Sequence, residues 1–169
     1  MQSFALGLRA AFFVLFLLAA GSKMRSSAAR QGFLRWVGDL AVVPPSAVGA
    51  AARLTVVLES VIAVLLLTPW APVGFALATL VLAGFAVATA VVVRRGTRAH
   101  CLCFGASPAV LGRRHVVRDG ALAAVAAAGI GLGGAALPPA AGIAVAGAAG
   151  CSLALAVVLL DEFLELFSL

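Results

Sequence analysis

Two long stretches of this chain are almost free of charge. Residues 120–160 contain no Asp, Glu, Lys or Arg, and residues 54–93 contain only Glu59. One membrane span takes about 20 apolar residues, so each stretch is long enough for a hairpin of two. The 169 residues are 64% hydrophobic and 11% charged. A soluble domain usually carries about 25% charged residues and could not hide so much apolar surface in a core of this size. The chain therefore reads as an all-α, polytopic transmembrane helical bundle of four to five spans, forming one integral membrane domain.

Helix breakers and charges place the spans. Span one is expected from Ser3 to Gly21, around the apolar run from Ala10 to Leu18. Arg9 before this run and Ala19-Ala20-Gly21 after it imitate a cleaved leader, but the following Lys23 and Arg25 favour a retained span. Residues 22–48 form a polar, basic connector ended by Pro44-Pro45, in which Phe33 and Trp36 are expected to lie on the membrane surface. Span two is expected over Gly49–Leu67 and span three over Val73–Val93. The turn Thr68-Pro69-Trp70-Ala71-Pro72 joins them, with its aromatic at the interface. Span four is expected over Val117–Ala136, followed by a turn at Leu137-Pro138-Pro139. Span five is expected over Ala140–Leu160, before an acidic tail of Asp161, Glu162 and Glu165. The glycines and alanines of the last two spans suit close helix packing within the chain, with contact to a second copy as the other use. No internal repeat is evident.

Eleven of the twelve basic residues fall in or beside two connectors: Lys23, Arg25, Arg30, Arg35 and Arg53, then Arg94, Arg95, Arg98, Arg113, Arg114 and Arg118. This is the pattern of topology signals and anionic-lipid contacts, and it argues against a nucleic-acid partner despite the net charge of +6. Both connectors are expected on the cytoplasmic side of a cell membrane, such as a bacterial inner membrane.

Chemistry concentrates in the second connector, at His100-Cys101-Leu102-Cys103-Phe104-Gly105. Three extended residues set the two cysteine Cα atoms up to about 7 Å apart, and a disulfide needs about 4.4–6.8 Å. A bridge between Cys101 and Cys103 is thus feasible in a bent segment, with the lability of a strained disulfide. Arg98 and His100 favour the reactive thiolate. Two unpaired thiols are the bland alternative. A metal site from His100, Cys101, Cys103 and His115 is a third reading, disfavoured because structural zinc sites space their cysteines more widely. Cys151 reads as a small apolar side chain in span five.

Glu59 is the second candidate. A carboxyl about ten residues into a span must be paired, protonated or turned inward. Arg9 is the expected partner by depth, with Lys23 snorkelling to the interface instead. A structural ion pair, or proton or quinone chemistry, would account for such a residue. Arg118-Asp119 reads as an ordinary charge pair at the interfacial start of span four.

In order along the chain, Gly21-Ser22-Lys23, Leu58-Glu59, Arg95-Gly96, Cys101-Leu102-Cys103-Phe104-Gly105 and Arg118-Asp119-Gly120-Ala121-Leu122 resemble the methylamine-utilisation MauE family, within the wider DoxX-like group of membrane proteins. The resemblance covers about residues 5–135, leaving the last span as an addition. Leu102 stands where the family typically has Gly, and Arg118-Asp119 where it commonly has Arg-Asn. The resemblance implies a role in methylamine metabolism, through thiol–disulfide maturation of a dehydrogenase subunit beside a thioredoxin-like protein. Cys101 and Cys103 would be the exchanging pair, with Glu59 and His100 as accessory candidates and a quinone as the conceivable cofactor. The rival readings are a non-catalytic membrane scaffold or chaperone, and a small-molecule carrier built on Glu59 and Arg9.

Overall fold

The computed structural model of the chain describes residues 2–96, 111–132 and 140–167, and in the last of these stretches side chains are described for 144–157 and 159. All regular structure among the described residues is helical: α1 (Gln2–Met24), α2 (Ser27–Asp39), a 3-10 turn (Pro45–Ala47), α3 (Val48–Leu66), α4 (Ala71–Arg94), α5 (Arg113–Leu132) and α6 (Ala140–Phe167). The long uncharged runs become α3, α4 and α6 as expected. Helices α1, α4 and α5, and α3 with its leading 3-10 turn, are each long and apolar enough to cross a membrane. Helix α6 adds an apolar stretch over Ala144–Val157.

The bundle is built by neighbours: α1 packs on α3 and α6, α3 on α4, and α4 on α5. Thr68 makes the tight turn from α3 to α4. Its hydroxyl donates to the Leu65 carbonyl at 2.8 Å and accepts from the Trp70 N–H at 3.2 Å. Phe12, Phe16, Ile62, Leu66, Phe75 and Ala126 bring four helices into one core. Phe12 meets Phe75 edge-on, with ring centroids 5.7 Å apart. Gly129 makes room for that ring, because a Cβ there would lie 2.8 Å from Phe75. On the other side of α1, a Cβ on Gly150 would strike the Gly7 carbonyl and come within 2.9 Å of the Ala11 nitrogen. Small residues thus let α1 and α6 touch backbone to backbone. Large apolar side chains such as Leu54, Leu80 and Val87 point outward, where lipid is their natural solvent.

The first connector differs from expectation. It contains α2, begun by Ser26, whose hydroxyl accepts from the Ala29 N–H at 3.0 Å. Phe33 and Trp36 do not lie on the membrane surface. They are three residues apart and so share one helix face, which is buried with Ala52, Val92 and Leu111. Arg30 and Arg35 are exposed. α2 is therefore a roof over one end of the bundle.

The second connector is pinned at both described ends to this same roofed end. Gly96 closes α4 in the left-handed conformation, φ +68°. Beside it, the Arg95 guanidinium donates to the Ala41 carbonyl at 2.9 Å, tying α4 to the segment after α2. Leu111, where description resumes, packs into the Phe33–Trp36 cluster. His100, Cys101 and Cys103 fall between, outside the described residues.

Candidate functional site

Glu59 is buried in the middle of α3, 2% exposed, and its partner is Lys23 rather than Arg9. The Lys23 Nζ donates to Glu59 Oε1 at 2.8 Å, to Oε2 at 3.0 Å and to the Ala19 carbonyl at 3.1 Å. The reason is directional. Side chains on a helix lean toward its N-terminus, and α1 and α3 run antiparallel. Lys23 therefore leans inward from the end of α1, Glu59 leans toward that end from the middle of α3, and the two meet. Helix α1 also runs three residues further than expected, to Met24, which brings Lys23 into the bundle instead of the interface. The Phe33 ring covers the ammonium, its centroid 5.2 Å from Nζ, and stacks on Trp36 at 5.7 Å. That contact adds a cation–π attraction to the ion pair.

Arg9 leans the other way, toward the opposite end. Its Nε donates to the Leu66 carbonyl at 3.0 Å and Nη2 to the Thr68 carbonyl at 2.9 Å. These are carbonyls at the end of α3, where a cation is favoured. Arg9 and Glu59 thus share no site, and a carrier built on that pair loses its basis.

Helix α5 brings a second set of charges to the roofed end. It starts at Arg113, four residues earlier than expected. Asp119 consequently sits nearly two turns into the helix and is 2% exposed, not interfacial. Arg118 pairs with it, Nε to Oδ1 at 2.9 Å and Nη2 to Oδ1 at 2.9 Å. Asp119 and Glu59 line one small void of ≈ 10 Å³ together with Phe16 and Phe85, which is at the lower limit for one water molecule. His115 is fully buried and caps its own helix. Its Nδ1 accepts from the Gly112 backbone N–H at 3.1 Å, while the His115 backbone N–H donates to the Gly112 carbonyl at 3.0 Å. That is the reciprocal logic of a capping box. Of the four residues in the metal reading, only His115 is described, and its Nδ1 is engaged. Among the described residues no three His, Cys, Asp or Glu side chains converge as metal ligands would. Cys151 is a half-buried free thiol on α6.

Sequence reasoning found Glu59 but missed its partner Lys23, the Phe33 ring over that ammonium and Asp119 on the shared void. The signal for Lys23 was its position one residue before the end of α1, facing inward at helical spacing from Ala19 and Phe16.

These features define a multi-pass helical membrane protein whose buried charges gather under an amphipathic roof helix, at the end where the cysteine-bearing connector is pinned. The chain belongs to the MauE family: the model of methylamine utilisation protein MauE matches residues 1–132. The match includes Lys23, Glu59, Cys101, Cys103 and Asp119 and stops before α6. Searches of curated proteins and of solved structures found no match.

Proposed function

We propose that this protein is a membrane thiol–disulfide accessory factor in which Cys101 and Cys103 exchange with a thioredoxin-like partner or a maturing dehydrogenase subunit. The family's description supplies the setting, methylamine utilisation. The observation that carries the reading is the placement of the connector's two described ends. Gly96 and Leu111, which flank the C-x-C pair in sequence, are held at the roofed end, the end toward which the buried Lys23, Glu59 and Asp119 are gathered. Arg98 and His100, next to the pair in sequence, would favour its thiolate form. In the exchange, a partner thiolate attacks the Cys101–Cys103 disulfide, one of the two cysteines leaves as a thiolate, and the partner's second thiol resolves the mixed disulfide, so the partner gains a disulfide and the pair is left as a dithiol. Glu59 and His100 are accessory residues in this reading. By the charge rule the connector lies on the cytoplasmic side.

The test is complementation of a strain lacking the gene. Cys101→Ser combined with Cys103→Ser is expected to abolish function at normal protein levels, and Cys151→Ser to leave it intact. Full function of the double variant would remove the redox reading and leave a scaffold.

A further inference from the structure

An open groove of ≈ 430 Å³ runs beneath α2 between α3 and α4. Its volume falls within the range of about 300–1,000 Å³ usual for small-molecule sites. Its walls are apolar, with Trp36, Leu58 and Leu80 among them, but it is more than a lipid-facing furrow. Thr89 lines it and is only 7% exposed. Among the described residues the Thr89 hydroxyl makes no hydrogen bond, although a helical threonine ordinarily bonds back to the preceding turn. Two aromatic rings separate the groove from the buried charges. Phe33 borders the groove and covers the Lys23 ammonium. Phe85 borders both the groove and the void lined by Glu59 and Asp119.

From this arrangement we propose that the groove is a binding site for a membrane quinone. The isoprenoid tail leaves between α3 and α4 toward lipid, and the ring lies against the aromatic wall with a carbonyl accepting from Thr89. An acyl chain would fill the apolar part equally well, but it has no use for a buried hydroxyl or for exchangeable protons one ring away. A quinone has a use for both, because its reduction takes up two protons with two electrons. The proposal deepens the thiol–disulfide reading and rests on it for its redox partner. Two cysteine S–H bonds break and one S–S bond forms. The two electrons and two protons convert both quinone carbonyls to hydroxyls, giving a quinol.

Fluorescence tests the site directly. Trp36 lines the groove and Trp70, the other tryptophan, is exposed at the α3–α4 turn, so a Trp70→Phe background reports on the groove alone. The full chain in nanodiscs is titrated with decylubiquinone. Saturable quenching is expected. Gly84 lines the groove with nothing within 4 Å of a Cβ, so the side chain of Gly84→Leu starts in open space and occupies the cavity. It is expected to weaken binding at least tenfold, and Thr89→Val several-fold. Quenching that is linear and equal in all three proteins overturns the proposal. So does saturable quenching by a brominated phospholipid that decylubiquinone cannot displace. Trapping of Cys101 and Cys103 in the same samples separates the two readings. Binding without thiol oxidation upholds the groove and defeats the redox role. Thiol cycling with a protein partner but no quinone binding does the reverse.

Discussion

Lys23 and Glu59, 36 residues apart, meet as a two-pronged ion pair with both side chains almost fully buried. Such a pair stabilises a fold little compared with an apolar substitute, but removing one partner strands a buried charge, at about 3–5 kcal/mol. Lys23→Met alone should therefore destabilise the protein by about that much. Lys23→Met with Glu59→Met should recover most of the loss. Reversible unfolding in micelles, analysed as a double-mutant cycle, reads the coupling directly.

Arg9 should behave as a separate element. Arg9→Ala removes two charge-assisted hydrogen bonds to the Leu66 and Thr68 carbonyls, each worth about 1.5–3 kcal/mol when a charged group is involved. The loss should add to that of Glu59→Gln within about 0.5 kcal/mol, since the two sites share no partner. Strong coupling between them in the same unfolding assay would contradict the assignment of partners.

Glycines on α1 and α6 should respond in opposite directions to the same change. Gly150→Ala forces a methyl into the backbone of α1 and should cost about 1–3 kcal/mol through overpacking. Gly21→Ala meets nothing within 4 Å and should gain up to about 1 kcal/mol from helix propensity. Thermal unfolding of the two variants in one detergent makes the comparison.

The spans were legible because charge gaps and prolines mark them without reference to neighbours. Residues 54–93 hold one charge and one proline-flanked turn, and α3 and α4 begin and end within a few residues of the expected positions. Glu59 was legible for the same reason. Its partner was not, because depth was counted between backbone positions. Arg9 matched by depth, yet its side chain leans away while that of Lys23 leans toward the carboxylate. The inward turn of Phe33 and Trp36 was present as an i, i+3 spacing, but a basic amphipathic segment reads equally as a membrane-surface helix until α3 is seen to cover it. His115 as a cap and Asp119 as a buried group both depended on where α5 starts. A charged first turn, Arg113-Arg114-His115, hid that start among the connector residues. The groove arises only when α2, α3 and α4 are assembled, so no single segment announces it.

Sidedness has its own measurement. Read by the charge rule, the eleven basic residues beside the two connectors predict a cytoplasmic position for both. In a Cys151→Ser background, a membrane-impermeant maleimide should leave Cys101 and Cys103 unlabelled in intact cells and label them in inverted vesicles. Labelling of intact cells would put the pair on the outer side, where maturing disulfides are made.

The central claim is that Cys101 and Cys103 form a working redox pair, and acid-quenched thiol trapping tests it most directly. Cells expressing the Cys151→Ser protein are quenched, alkylated before and after reduction, and resolved by mass. A mixture of dithiol and intramolecular disulfide is expected, with a mixed disulfide to a partner accumulating when one of the two cysteines is replaced by serine. Two free thiols under every growth condition, with no trapped partner, would contradict the account.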